Sequence, residues 1–360
     1  MSALTTSVAK LLTLRFTKVL AVAGAFVAFG CGETPTQEHV QVFHGEAQGT
    51  TYTVKYLAKQ GLASSVVEGP IEAVDVAMNA WRSDSWLTQV NGMDAGRLVI
   101  PDSAGIWQAM WDQSNALHRQ SNGAFDVTVE PWMRLWGFRG EHVDQVTQQQ
   151  VDSVRMFVGL NGSVFQTERS EPKGFALLKR DGRGRLDFNA IAQGYTVDLM
   201  LEALQREGVR HAMVELGGEV RCVGTNAQGE PWRIAVDRPQ AEGRTLQAIV
   251  AVEDRAVCTS GNYRKVRVVN GQTISHTIDP RTGRPVTHGL LSATVMAPTA
   301  ALADGLATAC MVMGPDAGKE WIQLQGEEVD ALFITAREGD GFDHWATPRL
   351  ATSLEWLGED

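Results

Sequence analysis

The sequence is poor in several features that define large protein classes. It has only 4 cysteines in 360 residues, and no two of them show the Cys-x-x-Cys spacing of zinc ribbons or thioredoxin-like motifs. No glycine-rich loop of the dinucleotide-binding or P-loop type follows a predicted strand. Basic residues are in the minority, 32 against 42 acidic ones, and the net charge of −10 argues against non-specific binding to nucleic acid.

The rest of the composition is that of a globular protein. Hydrophobic residues make up 44% and charged residues 21%, and a chain of this length can bury a large core without disulfides or structural metals. Length alone predicts about two domains, or one large domain with subdomains. Cys222, Cys258 and Cys310 stand among apolar or small residues, which predicts buried free thiols.

The N-terminus has the pattern of an export signal. Residues 1–18 include basic but no acidic side chains, and residues 19–29 form an apolar run, shorter than the roughly 20 residues that a membrane-spanning helix needs. The small residue directly before Cys31 is typical of a bacterial lipobox, in which the thiol is lipidated after cleavage, although Ala28 stands where such boxes usually have Leu. An ordinary signal or an uncleaved anchor is the alternative. Residues 32–42 are predicted to be a flexible tether.

Helical and strand-like patterns are interspersed along the remaining chain. Alternating residues predict a strand pair over 43–59 and a hairpin of 175–179 with 185–188 around the turn Asp181-Gly182. Residues 132–138 are predicted to form a Trp-rich loop. This mixture predicts an α+β fold with mixed, largely antiparallel sheets and packed helices. The clearest helical periodicities cover 66–81, 103–120, 189–207 and 301–313.

The segment Ala303-Asp304-Gly305-Leu306-Ala307-Thr308 is a candidate cation site. Residues four apart share one face of a helix, so the Asp304 carboxylate and the Thr308 hydroxyl point the same way. A carboxylate with a neutral oxygen is a partial ligand set for Mg²⁺. The alternative is an Asp in the N-terminal turn of a helix, with a Thr that bonds back to the backbone.

His276 precedes a tight turn, Asp279-Pro280-Arg281-Thr282-Gly283. A histidine at the end of a strand is a candidate general base with a pKa near 7. A purely structural turn with a histidine at the strand end remains the alternative reading of this segment.

Two further segments are candidates for ligand binding. Asp187 stands just before a predicted helix, where it caps the helix or lies beside a polar ligand at the helix N-terminus. Residues 123–128 precede Trp132 and Trp136, and together with Trp81 these supply aromatic surface for stacking on a planar heterocycle. Burial in the core is the alternative for most tryptophans.

The order of these segments along the chain resembles the ApbE family, the FAD:protein FMN transferases of bacterial envelopes. The similarity extends from about residue 43 to about residue 335. It is carried by Gly49-Thr50-Thr51-Tyr52, Ser83-Asp84-Ser85 with Asn91, Gly123-Ala124-Phe125-Asp126-Val127-Thr128, Trp136-Gly137-Phe138, Ala192-Gln193-Gly194-Tyr195 with Asp198, Leu216-Gly217-Gly218, Thr259-Ser260-Gly261-Asn262-Tyr263, His276 through Gly283, and Ala303-Asp304 with Thr308.

The resemblance implies a Mg²⁺-dependent reaction in which FAD is the substrate, FMN passes to a Thr or Ser hydroxyl of an acceptor protein, and AMP leaves. It implies metal ligation by Asp304, Thr308 and the Ala190 carbonyl, and it makes His276 the base. The implied FAD contacts are Gln48, Trp81, Ala124, Phe125, Asp126, Asp187, Gln193 and Ile278. Two of these depart from the family pattern, because Gln48 stands where Met is common and Gln193 where Lys or Glu is common.

The family also implies a T-fold-like architecture of two intimately associated subdomains. The expected organisation is a signal at 1–30 with lipidation at Cys31, a tether at 31–42, the catalytic domain at 43–345 and a tail at 346–360. Such a protein would be a membrane-anchored lipoprotein facing the periplasm, with subunits of envelope redox complexes as acceptors and no nucleic-acid partner. Two other functions fit the same residues, namely a FAD pyrophosphatase that yields FMN and AMP and a non-catalytic FAD-binding lipoprotein.

Overall fold

The computed structural model describes residues 38–168, 174–240, 243, 245–263, 265–337 and 341–357. The predicted signal segment 1–30 and the predicted lipidation residue Cys31 lie outside these ranges. Within them, no helix is both long enough and apolar enough to cross a membrane.

Helices and strands are numbered here in chain order. The helices are α1 (Ser65–Met78), α2 (Trp86–Gly92), α3 (Ile106–Gln120), α4 (Glu130–Leu135), α5 (Gln148–Arg155), α6 (Asn189–Arg206), α7 (Ala300–Met313), α8 (Pro315–Gln323) and α9 (Pro348–Ala351). The strands are β1 (His39–Ala47), β2 (Thr50–Ala58), β3 (Gly96–Pro101), β4 (Phe165–Glu168), β5 (Gly174–Lys179), β6 (Ala212–Leu216), β7 (Glu219–Val223), β8 (Trp232–Asp237), β9 (Leu246–Val252), β10 (Ala256–Gly261), β11 (Val266–Val269), β12 (Gln272–Ser275), β13 (Ile278–Asp279), β14 (Arg284–Pro285), β15 (Leu290–Ala297), β16 (Asp330–Ala336), β17 (Phe342–Ala346) and β18 (Leu354–Trp356).

An eight-stranded sheet forms the centre of the fold, in the order β1-β2-β6-β7-β10-β15-β16-β17. Every neighbouring pair in it is antiparallel. Smaller sheets follow the orders β3-β5-β4 and β18-β9-β8, with two hairpins, β11-β12 and β13-β14. The predicted α+β class with largely antiparallel sheets and packed helices is therefore confirmed.

The two faces of the central sheet bury different partners. Successive side chains of a strand point to opposite faces. On β7, Val220 and Cys222 pack into a cluster with Trp232 and Val250 of the β18-β9-β8 sheet, whereas Arg221 reaches Asp198 of α6 on the other face. Cys222, Cys258 and Cys310 are buried and free, as predicted.

Helices α6 and α7 approach each other unusually closely on the second face. A Cβ atom placed on Gly194 of α6 would lie 2.4 Å from the carbonyl oxygen of Ala300 at the start of α7. The Asp198 carboxylate accepts the first two backbone N–H groups of α7, from Ala300 at 2.8 Å and Ala301 at 2.9 Å. Residue Arg221 donates to the same carboxylate at 2.8 Å. Asp198 thus caps α7 with a negative charge at the positive end of the helix dipole. The same contacts fix the position of α7 relative to α6.

The hairpin predicted around Asp181-Gly182 is wrong. Strand β5 pairs with β3 and β4 instead, and residues 185–188 are not a strand. The Asn91 side chain occupies both backbone groups of Leu186, donating to its oxygen at 2.9 Å and accepting from its nitrogen at 2.7 Å. The Asp187 N–H donates to the Val127 oxygen at 2.7 Å. These groups are therefore unavailable to a hairpin partner.

The predicted Trp-rich loop is partly helix, and its tryptophans are structural. Residues Glu130–Leu135 form α4, with Trp132 fully buried and Trp136 nearly so in a separate apolar cluster. The Trp136 indole donates to the Gly283 oxygen at 2.8 Å. Gly283 has a positive φ of 71° and lies directly against Trp132, so the turn after His276 is packed onto α4.

The ordered fold extends beyond the predicted domain boundaries at both ends. Strand β1 begins at His39, inside the expected tether 31–42, because its residues pair with β2 over their whole length. The expected tail 346–360 contains α9 and β18, and β18 completes the sheet with β9. The described residues from Glu38 onward form one compact unit, and the two expected subdomains stay a prediction.

Candidate functional site

Asp304 is a buried carboxylate in the second turn of α7. It is 5% exposed, and the Gly194 N–H of α6 donates to its Oδ2 at 3.4 Å. Burial raises its pKa to about 7, the nearby Asp198 charge also raises it, and the Gly194 hydrogen bond opposes the shift. Among the described residues no Lys or Arg forms an ion pair with Asp304, so its negative charge lacks the partner that buried carboxylates usually have.

The other two predicted metal ligands each lie one helical turn from a residue of the hydrogen bond between Gly194 and Asp304. Thr308 is one turn later on α7, and its hydroxyl is 3.2 Å from the hydroxyl of Ser260 on β10. Ala190 is in the first turn of α6, one turn before Gly194. The described residues contain no group of three or more His, Cys, Asp or Glu side chains able to hold a metal, so a cation here would depend largely on neutral oxygens.

His276 lies between β12 and β13, in a segment packed against Phe138. Its backbone N–H donates to the Lys265 oxygen at 3.1 Å, and its ring is edge-on to Phe138 with centroids 6.4 Å apart. Its Nδ1 is buried and has no hydrogen-bond partner among the described residues. Burial, and then the positive charge of Lys265, lower the pKa of His276 to about 4. The predicted pKa near 7 is therefore wrong for this conformation.

Hydrogen bonds connect the His276 segment with the strand that carries Ser260. The Thr277 hydroxyl donates to the Asn262 side-chain oxygen at 2.9 Å, and the Asn262 amide donates to the Leu290 oxygen at 3.0 Å. Asn262 directly follows β10, on which Ser260 contacts Thr308. Three motifs that are distant in sequence are thus connected through β10.

Gln48 and Gln193 meet at the first half of α6. Gln48 has a positive φ of 50° at the β1-β2 turn, and its Nε2 donates to the Thr196 hydroxyl at 2.9 Å. Its Oε1 is buried and has no partner among the described residues. A Cβ atom on Gly217 would lie 2.9 Å from both Gln193 Nε2 and Thr50 Cγ2. Only a glycine at position 217 leaves these side chains in place.

Arg139 joins two predicted FAD contacts and was not predicted from the sequence. Its guanidinium lies 4.1 Å from the ring centroid of Trp81 and donates to Asp187 Oδ2 at 2.9 Å. Trp81 is 71% exposed, which leaves it accessible for stacking. Asp187 also caps α6 by accepting the Asn189 N–H at 2.9 Å. In the sequence, Arg139 is marked only by its position directly after Trp136-Gly137-Phe138. This position does not predict that its side chain contacts Trp81 and Asp187.

The other four predicted FAD contacts are buried in this conformation. Ala124 and Phe125 are each 1% exposed, and Asp126 and Ile278 are also inaccessible. The Asp126 carboxylate accepts the Thr128 N–H at 2.7 Å and the Thr128 hydroxyl at 2.6 Å, and burial raises its pKa. The contact of these four residues with FAD stays a prediction.

The fold and the site together define the class of protein. It is an α+β protein in which a buried acid, Asp304, lies one helical turn from the hydroxyl pair of Thr308 and Ser260. Hydrogen bonds connect the strand of Ser260 with the segment that carries His276. A sequence model of the ApbE family matches residues 48–333. This chain belongs to the ApbE family.

Known relatives match almost the whole chain. The FAD:protein FMN transferase of Salmonella typhimurium is 32% identical over 355 residues, covering 94% of this chain and 97% of that protein. The corresponding protein of Vibrio cholerae is 33% identical over 336 residues, covering 91% and 96%. The structure of flavin transferase ApbE from Vibrio cholerae has a TM-score of 0.74 at 31% identity, covering 89% of this chain and 100% of that one. The apo flavinyl transferase ApbE of Pseudomonas stutzeri also gives 0.74, at 35% identity, covering 88% and 97%.

Proposed function

We propose that this protein transfers FMN from FAD to a Thr or Ser hydroxyl of an acceptor protein, with release of AMP. The names of the relatives support the reaction. The observation that supports it most is a buried carboxylate, Asp304, on the same helix as Thr308, whose hydroxyl contacts Ser260, while His276 has an Nδ1 without a partner among the described residues and lies in a segment bonded to the end of the Ser260 strand. A site that only stored FAD would have no use for such a base.

In this reaction the acceptor hydroxyl oxygen forms a bond to the phosphorus of the FMN half of FAD. The bond from that phosphorus to the bridging oxygen breaks, and AMP leaves with the electron pair. The hydroxyl proton passes to His276 Nδ1. With a pKa of about 4 the ring is neutral at pH 7 and able to accept a proton, and an anionic pyrophosphate bound beside it would raise that pKa and strengthen the base.

The residues around Asp304 fit a divalent cation. The Asp304 carboxylate, the Thr308 hydroxyl and the Ala190 carbonyl would form an all-oxygen ligand set of the kind that Mg²⁺ takes, and no Lys or Arg in the described part of the chain forms an ion pair with Asp304. When bound, Mg²⁺ would neutralise charge on the pyrophosphate, which an acidic protein otherwise repels. Trp81, with Gln48, Gln193 and Asp187, would hold the nucleotide, and Ala124, Phe125, Asp126 and Ile278 would support it from behind.

The test is a mass measurement. The protein is incubated with FAD, MgCl₂ and an acceptor domain carrying a Thr or Ser flavinylation motif, with EDTA in a parallel sample. A transferase adds one FMN mass to the acceptor and releases an equal amount of AMP. Release of AMP without the adduct would make the protein a pyrophosphatase, and neither product would make it a FAD-binding protein. An acceptor with its Thr replaced by Val is the matched control.

We also propose that the mature protein is anchored by a lipid on Cys31, faces the periplasm and modifies subunits of envelope redox complexes. The basic start, the short apolar run and the position of Cys31 support this. Cys31→Ser should move the protein from the membrane fraction to the soluble fraction without changing FMN transfer, since Cys31 precedes β1 and the whole site. Finding the wild-type protein soluble in the periplasm, with cleavage at another residue, would contradict the proposal.

A further inference from the structure

Glu219 is an acidic residue at the start of β7 that no part of the reaction described above uses. Residues two apart on a strand share a face. Arg221 reaches Asp198 of α6, so Glu219 faces the same layer of α6 and α7, whereas Val220 packs on the opposite side of the sheet. Cys258 of the neighbouring strand β10 donates to the Ala300 oxygen at the start of α7. This places Glu219 beneath the end of α7 that carries Asp304.

Glu219 is buried, and one of its two carboxylate oxygens is left unsatisfied. It is 8% exposed, and its Oε2 has no hydrogen bond among the described residues. Burial raises its pKa well above the ordinary value, and the next cause is the negative charge of Asp304. Glu219 thus lies under the half of α7 that carries Asp304, and among the described residues neither carboxylate forms an ion pair with Lys or Arg.

The neighbouring basic residues do not balance this pair. Arg221 shares the face of Glu219, but its guanidinium is bound to Asp198 at 2.8 Å. Lys265 is exposed, and its positive charge has the smallest effect on the pKa of Glu219. Thr308, one turn after Asp304 on α7, and Ser260 add hydroxyl oxygens that lie 3.2 Å apart. A hard divalent cation binds to carboxylates and neutral oxygens of this kind. Its positive charge would allow both buried acids to be ionised at the same time.

We propose that Glu219 supplies a second negative charge to the cation site of Asp304, contacting the cation directly or through one bound water. The inference rests on the proposed function, because it concerns the same Mg²⁺ site. It makes the site a two-carboxylate site, whereas the sequence pattern Asp304-x-x-x-Thr308 supplies only one.

The test measures cation binding in the absence of FAD and acceptor. Mn²⁺, as a spectroscopic substitute for Mg²⁺, is titrated into the full chain, and free Mn²⁺ is followed by electron paramagnetic resonance. Glu219→Gln, which keeps the shape of the side chain and removes its charge, is expected to weaken Mn²⁺ binding about 10- to 100-fold. The matched control is Glu253→Gln, at an exposed position in the turn between β9 and β10, which should bind Mn²⁺ like the wild type.

Thermal unfolding separates a ligand from a structural residue. In EDTA, Glu219→Gln should be about as stable as the wild type, because burial favours the protonated, neutral form of Glu219 and Gln is neutral as well. With Mn²⁺ its gain in Tm should be smaller than that of the wild type. A variant that is less stable in EDTA but gains as much from Mn²⁺ would overturn the inference and make Glu219 a structural carboxylic acid.

Two further outcomes keep the inference separate from the proposed function. If Glu219→Gln does not fold, Glu219→Asp is used. It retracts the carboxylate by one methylene and should weaken Mn²⁺ binding several-fold, so unchanged affinity would overturn the inference. If the wild type itself binds no Mn²⁺ and transfers FMN in EDTA, the metal part of the proposed function is wrong and the inference falls with it. Tight wild-type binding with unchanged binding by Glu219→Gln refutes the inference alone.

Discussion

Replacing Gly194 by Ala should disrupt the contact between α6 and α7 on which the candidate site depends. The new Cβ would lie 2.4 Å from the Ala300 oxygen, 2.6 Å from its carbonyl carbon and 2.8 Å from the Ala301 nitrogen. These are backbone atoms, so no rotamer change relieves the clash. Carbon makes favourable contacts at about 3.5 Å or more, so α7 must retreat by roughly 1 Å.

The magnitude follows from two opposing terms. Alanine is favoured over glycine in a helix interior by about 1 kcal/mol, whereas overpacking a core costs about 1–3 kcal/mol. The retreat of α7 also lengthens the bonds from Ala300 and Ala301 to Asp198, now 2.8 and 2.9 Å, and each bond to a charged group contributes about 1.5–3 kcal/mol. We expect Gly194→Ala to lower the free energy of unfolding by about 2 kcal/mol. It should also reduce FMN transfer at limiting Mg²⁺, because Asp304 moves with α7.

Urea unfolding followed by circular dichroism measures the stability, and Gly92→Ala is the matched control. Gly92 is the last residue of α2, and no atom lies within 4 Å of its added Cβ. The same substitution there should stabilise the protein by about 0.4–1 kcal/mol. Equal stability and activity of the two variants would refute the argument that the approach of α6 and α7 requires a glycine.

The other predictions concern charged and polar side chains of the site. His276→Ala should lower the transfer rate by about 100- to 10,000-fold with little change in FAD affinity, and equal losses in both would assign His276 to ligand binding. The neutral ring of His276 in the FAD-free protein should be lost only as the pH falls through about 4, and an NMR titration with a midpoint at the ordinary 6.5 would contradict the burial argument. Asp304→Asn should abolish transfer and leave the fold intact, whereas Thr308→Ala should reduce the transfer rate less because water can replace a hydroxyl. Kinetics at limiting Mg²⁺ compare the two variants, and near-normal activity of Asp304→Asn would contradict the metal assignment. Arg139→Gln should destabilise the protein by about 3 kcal/mol in urea unfolding, because it leaves the buried Asp187 carboxylate without its cation, and wild-type stability would contradict this.

The long periodic elements were predictable because their apolar patterns are strong enough to decide the local conformation. Helix α6 was predicted over 189–207 and found at Asn189–Arg206, and α7 was predicted over 301–313 and found at Ala300–Met313. The strand pair over 43–59 is also confirmed as β1 and β2. In these segments the hydrophobic period alone selects the buried face.

Segments whose backbone partners are distant in sequence were predicted less well. The turn at Asp181-Gly182 has the composition of a hairpin, but a side chain 95 residues away occupies the backbone of Leu186. The short helices α2 and α4 were missed, since a few residues contain too little periodicity to separate a helix from a loop. Their conformation comes from packing, as with the fully buried Trp132 of α4.

The sequence by itself determined the chemical groups of the site and their order, and these were sufficient to recognise the family. Helical spacing placed Asp304 and Thr308 on one face, and the confirmed α7 preserves that spacing. What it could not determine was the charge state and the partners of these groups. The pKa of a side chain depends on burial and on charges from other parts of the chain, as His276 shows with its unexpectedly low value.

Only the tertiary structure decided which side chains are already engaged and which are available to a ligand. It turned the Asp126 carboxylate inward onto Thr128 and placed Arg139 on Trp81. It also buried Glu219 with its Oε2 unsatisfied among the described residues. These contacts depend on the sheet order, on the packing of α6 against α7, or on a local turn whose direction the fold determines. Such contacts leave no periodic or compositional trace in a single sequence.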